Sequence, residues 1–140
     1  MKKILYFISS FMLCGLVLFG CAPSEYKEIA NEANEIFEDD CNNNKSELEA
    51  KAKSEGIVVT FTYKNHKNKE SYLEEVEDTL TGDAFSNEVI LMRVYQIIYT
   101  QLGYEDKLIV EIETKNGDLL YQFEYDSYDS FREEKVDNVH

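Results

Sequence analysis

Residues 46–63 read S-E-L-E-A-K-A-K-S-E-G-I-V-V-T-F-T-Y. The first half pulls two ways. Ser46-Glu47-Leu48-Glu49 has the form of a capping box, the composition is Ala, Glu, Lys and Leu, and Gly56 could end a helix. The alternation says strand instead: Leu48, Ala50 and Ala52 are separated by Glu49 and Lys51 and followed by Lys53. Residues 57–64 are β-branched and aromatic, with Val59, Phe61 and Tyr63 on one side. If Glu55-Gly56 is a two-residue loop, Ser54 faces Ile57. Ala52 then pairs with Val59, Ala50 with Phe61 and Leu48 with Tyr63, all on one face. A one-residue slip would send half of that set to solvent. The stretch is read as a β-hairpin, strand winning over helix.

A second hairpin closes the chain. Residues 106–115 and 118–126 flank Asn116-Gly117, a pair that favours a two-residue type I′ turn. That register sets Ile112 opposite Tyr121, Val110 opposite Phe123 and Leu108 opposite Tyr125. Between the hairpins lie a polar loop at 65–69 and a helical region from about residue 70. Tyr72, Leu73, Val76 and Leu80 make its first apolar stripe, and Thr81-Gly82-Asp83 kinks or interrupts it. Residues 89–102 are far more apolar. Their polar positions Arg93, Gln96 and Thr100 leave only a narrow wet strip, so this is expected to be the most buried element, ended by Gly103.

Ahead of the first hairpin, residues 25–39 carry Tyr26, Ile29, Ala30, Ala33, Ile36 and Phe37 at three- and four-residue steps, which predicts an amphipathic helix. Ser24 is a candidate cap, and the Asn run 42–44 breaks the pattern. The expected fold class is α+β: an antiparallel sheet of two β-hairpins joined by a long helical crossover, with an N-terminal amphipathic helix. The domain is expected over residues 25–126, followed by a polar, frayed tail at 127–140.

Residues 1–24 speak of location. Lys2 and Lys3 precede an uncharged, mostly apolar run at 4–20, the parts of a secretory signal. Its end, Leu18-Phe19-Gly20-Cys21, resembles the bacterial lipoprotein signal, with Phe19 bulkier than the usual residue there. That resemblance implies cleavage before Cys21, a diacylglyceryl thioether on its sulfur, and a lipid-anchored domain on the outer face of the cytoplasmic membrane. The competing reading is an uncleaved anchor, for which the run falls a little short of the roughly 20 residues that span a bilayer. Residues 21–24 would be the lipidated Cys and a tether, and three extended residues reach only about 10 Å.

Of 140 residues, 28 are acidic and 14 basic, a formal net charge of −14. Loss of residues 1–20 would make it −16. Such a chain is ill suited to nucleic acid, whose phosphates need clustered Lys and Arg. Of the three cysteines, Cys14 lies in the signal and Cys21 at its end. Cys41 alone is left, so no internal disulfide is expected. Its acidic, Asn-rich setting does not favour a thiolate.

Catalytic and metal-binding patterns are weak. His66 sits in a basic loop and His140 at the end, and both are expected to be solvated rather than paired with a nucleophile. No Gly-rich phosphate loop or zinc spacing occurs. Asp40, Asn42, Asn44 and Ser46 begin like a calcium loop, but Lys45 stands where Gly is needed and Lys51 where a bidentate Glu belongs. Glu74, Glu75, Glu77 and Asp78 read as a solvated helix face, and Asp126 and Asp129 flank a tail turn; weak calcium binding is the alternative for either group, but such charge runs are usually just exposed. No deep sugar cleft is expected for a carboxylate-based glycosidase. Catalytic residues, metals and cofactors are therefore expected to be none. Tyrosine is the anomaly. Tyr95, Tyr99 and Tyr104 either fill a core built without Trp or form an amphipathic partner patch.

With these parts assembled, the chain resembles small lipoproteins of Gram-positive bacteria that carry a β-β-α-β-β domain of unknown function. The resemblance rests on the alternating strand 48–54, the Glu55-Gly56 turn, the strand 57–63, the helical region 70–102 and the closing hairpin 108–125. It supplies no site residues. The function expected is a membrane-tethered, extracytoplasmic, non-catalytic binding or accessory module, with the membrane (through the anchor) and a membrane or cell-wall protein as partners. The alternatives are a surface small-ligand or cation-binding lipoprotein and, less favoured, a small carboxylate-based hydrolase.

Overall fold

The computed structural model describes residues 21–78 and 83–131. In chain order these are α1 (Ser24–Asp40), β1 (Ser46–Lys53), β2 (Gly56–Tyr63), α2 (Lys69–Asp78), α3 (Asp83–Tyr95), β3 (Leu108–Thr114) and β4 (Leu119–Tyr125). Helix α3 runs on into a π-helical segment, Gln96–Gln101. The interruption expected at Thr81-Gly82 lies outside the described residues, between the end of α2 and the start of α3.

The four strands lie in sequence order, β1-β2-β3-β4. Both hairpins form, but the sheet is mixed rather than antiparallel: β2 and β3 pair in parallel, Ile57 with Leu108 through Tyr63 with Thr114. The reason is the crossover. It carries the chain back to the end of the sheet where β2 began, so the next strand must run the same way, as adjacent strands joined by a helical connection do.

Strand identity at 46–53 is as the alternation predicts, with Leu48 and Ala50 buried and Glu47, Glu49 and Lys51 exposed. The register differs. Ala52 pairs with Ile57, Ala50 with Val59 and Leu48 with Phe61, so the loop is Ser54-Glu55 and Gly56 belongs to the strand. A shift of two residues keeps every side chain on its face, so the apolar pattern could not exclude it. Gly56 fixes the choice, because a Cβ there would overlap the Lys107 carbonyl.

In the closing hairpin the pairs Leu108–Tyr125, Val110–Phe123 and Ile112–Tyr121 form as expected. The turn is not type I′, which needs positive φ at both central residues. Among the described residues only glycines have positive φ, Gly117 at +85°. The loop is Lys115-Asn116-Gly117: the Gly117 N–H donates to the Thr114 carbonyl (2.9 Å) and the Thr114 N–H to that of Asp118 (3.0 Å). This three-residue loop offsets the strands by one residue. A bulge between Ile112 and Glu113 restores the register.

The inner face of the sheet packs against α1 and the π-helical segment. Ala30, Ala33 and Phe37 of α1 meet Ile57, Val59, Leu108, Val110 and Ile112, with Val94, Ile97 and Ile98 beside them. Each fully buried aliphatic side chain of this kind contributes about 1.5–3 kcal/mol. The outer face is polar, and its ion pairs (Lys51–Glu49, Lys64–Glu47, Lys107–Glu124) lie at the surface, where each is worth at most about 1 kcal/mol.

Local signals explain the ends of elements. Ser24 is not a cap but the first residue of α1, and Pro23 precedes it with no side-chain cap. The caps that form were not foreseen. The Ser71 N–H donates to Asn68 Oδ1 (3.0 Å) while the Asn68 N–H donates to Ser71 Oγ, a reciprocal box at the start of α2. Ser127 and Ser130 make the same exchange. They open a helical turn, 128–131, where a frayed tail was expected. Phe131 is buried there, its ring stacked on Tyr95 at 4.0 Å.

Candidate functional site

Cys21, the expected lipid-attachment residue, is exposed. Two residues, Ala22 and Pro23, separate it from α1. The Tyr26 hydroxyl donates to Asp106 Oδ2 (2.9 Å), and its ring meets that of Tyr104 edge-on at 5.5 Å. The hydrogen bond to Asp106 holds the Tyr26 hydroxyl above its ordinary pKa. The start of α1 is thereby fixed to the end of the sheet where β2 and β3 begin. Helix α1 leads away from there, and Asp40 and the loop after it lie beside the start of β1, at the opposite end.

The tyrosine trio divides. Tyr99 and Tyr104 are buried, and Tyr95 is half-buried beneath Phe131. The Tyr99 hydroxyl donates to the Asp106 carbonyl (3.0 Å) and the Tyr104 hydroxyl to that of Lys107 (2.7 Å), while the Ile57 N–H donates to the Tyr104 oxygen (3.1 Å). Burial, with further contributions from nearby Asp106, raises both hydroxyl pKa values well above 10.0, so they stay protonated donors. These two rings pin the 103–107 loop to the sheet. Thr100, Gly103, Glu105 and Asp129 edge a shallow groove beside them, which half-buried Tyr128 also lines.

Helix α3 holds a feature that the sequence reading missed. Leu91, Val94, Ile97 and Ile98 point into the core, yet Val89 is 53% and Met92 47% exposed. Val89 and Met92 are three residues apart, hence neighbours on one face. With Glu88, Arg93, Tyr95 and Gln96 they line an open groove of about 710 Å³. The expectation that only a narrow strip of 89–102 at Arg93, Gln96 and Thr100 would meet water holds in the π-helical turn, where Ile97, Ile98 and Tyr99 are buried, and fails at Val89 and Met92. The signal was there: this segment has more apolar positions than one packed face can cover. Arg93 reaches Asp40 (3.5 Å) and Gln96 Oε1 (3.3 Å), which sets that edge of the groove beside the far end of α1, while Tyr95 on another edge stacks on Phe131.

The remaining candidates are placed as follows. His66 is not a solvated loop residue: it is half-buried, with ring contacts to Tyr63 (5.6 Å) and Tyr72 (5.4 Å). His140 lies outside the described residues, as do Met1 to Gly20. Cys41 is partly buried against the core. Asn42 does not face a cation: its side chain bonds the backbone of Leu48. Asn43 Oδ1 accepts from the Lys45 and Ser46 N–H groups. Among the described residues no three His, Cys, Asp or Glu converge as a metal site would require, and no helix is long and apolar enough to cross a membrane.

No protein-family model matches the sequence, and no curated protein matches it. Among solved structures the chain is similar to the type II secretion system pilotin AspS from Vibrio cholerae, at 13% identity and a TM-score of 0.30, over 76% of this chain and 94% of that one.

Proposed function

We propose that this protein is a lipid-anchored, non-catalytic binding module on the outer face of the cytoplasmic membrane, of the general kind found among small Gram-positive lipoproteins. The anchor is the Cys21 thioether, and the partner is a membrane or cell-wall protein. The observation that carries the reading is the placement of Cys21. It is exposed, separated from α1 by two residues, and Tyr26 ties that helix start to Asp106 at the end of the sheet where β3 begins. So short a link would hold the start of α1 at the headgroups and leave the Arg93 edge of the α3 groove, beside Asp40 at the helix's other end, facing other proteins. Two acyl chains give lasting attachment, and anchoring raises the effective concentration at a neighbour.

The test is crosslinking in cells followed by recovery of the tagged protein, wild type against Cys21→Ala. A membrane or wall protein recovered with the wild type and lost with the variant supports the module. Equal recovery with both would remove the anchor from the account.

A further inference from the structure

We infer that the groove on α3 is the docking site for a basic, apolar-faced polypeptide segment of another protein. This rests on the binding-module reading and names the partner's chemistry. Three observations carry it. First, α3 is apolar on two sides but packed on one: Leu91 and Val94 are buried while Val89 and Met92 stand half exposed. A helix of that composition is ordinarily covered all round. Second, the open side forms a shallow groove, with Tyr95 on one edge stacked on Phe131 at 4.0 Å. A flexible Met lining a groove suits an apolar side chain entering it. Third, the charge around it is one-sided. Glu88 lines the groove, and Glu38, Asp39 and Asp40 end the adjacent helix. Among the described residues that line the groove the one cation, Arg93, is engaged by Asp40 and Gln96. An apolar insert flanked by Lys or Arg meets both requirements, and complementary charge hastens its encounter.

The test uses the full-length chain in bilayer nanodiscs with labelled methyl groups. The probe is an amphipathic helical peptide of Leu and Lys, and its counterpart is made of Leu and Glu. The expected result is that the Leu/Lys peptide shifts the Val89 and Met92 methyl signals, that the Leu/Glu peptide does not, and that Met92→Asp weakens binding roughly tenfold. Met92→Asp is discriminating because it adds negative charge. Binding by surface charge alone would be unchanged or tighter in the variant, and that result overturns the inference. So would shifts confined to the outer sheet face, equal binding of both peptides, or shifts that grow with protein concentration without peptide, which would make the occupant a second copy. Failure here leaves the anchor untouched, since lipid on Cys21 is read separately by mass. An unlipidated Cys21 would sink the tether without altering the peptide result.

Discussion

Gly56 shows how one residue can decide a register. With no side chain it lets the backbone of β2 pass against the Lys107 carbonyl, which in turn accepts from the Ile57 N–H (3.1 Å). Gly56→Ala forces the start of β2 away from the 103–107 loop. It should destabilise the domain by about 1–3 kcal/mol, read as a lower denaturant midpoint with an unchanged slope. The neighbouring tyrosines predict a pH response. The folded pKa values of Tyr99 and Tyr104 are raised above the unfolded value of 10.0 by burial. Their contribution is complete below pH 10.0 and is lost as pH rises above it, because only the unfolded chain then releases those protons. Stability should fall above pH 10. In a phenolate absorbance titration two tyrosines should ionise only together with unfolding. If all titrate near 10 in a folded protein, the two rings are not pinned as described.

At the scale of elements, β1 is an edge strand, and its free backbone groups would invite another strand. Two asparagines answer this. Asn34 on α1 donates to the Ala50 carbonyl (2.9 Å) and accepts from its N–H (2.7 Å), and Asn42 does the same for Leu48 (3.3 and 2.7 Å). Each amide stands in for a missing strand. The double variant Asn34→Ala, Asn42→Ala should lose about 2 kcal/mol and associate with rising concentration in sedimentation. A variant that stays monomeric would mean the edge is protected otherwise. The turn at 128–131 makes a separate prediction: Phe131→Ala should cost about 3 kcal/mol, seen as a lower Tm, whereas a frayed tail would tolerate it. Much of this level was legible. Period-two alternation made residues 46–53 a strand against their helix propensity, and period 3.6 gave α1. What was hidden follows from what patterns cannot carry. A two-residue register shift leaves faces unchanged, and Asn116-Gly117 looks the same in a two- or three-residue loop. The burial of Phe131 depends on Tyr95, 36 positions away in the chain.

For the whole molecule, the same apolar count that marked 89–102 as core also contained the groove. Sequence alone could not say which of its sides the sheet would cover. The parallel junction of β2 and β3 was likewise implicit in the long crossover, since a return through helices brings the next strand in the same sense. The two ends of the domain are chemically unlike. The start of α1 carries Cys21 beside the tyrosine-pinned loop, and its other end, at Asp40, meets Arg93 of the α3 groove. In the proposed function Cys21 is the anchor and the α3 groove the docking surface. The most direct measurement is the intact mass of the protein extracted from membranes. The account predicts a chain beginning at Cys21 and carrying a diacylglyceryl group, with or without an added amide-linked acyl chain. A chain that keeps residues 1–20 with an unmodified Cys21 would contradict it.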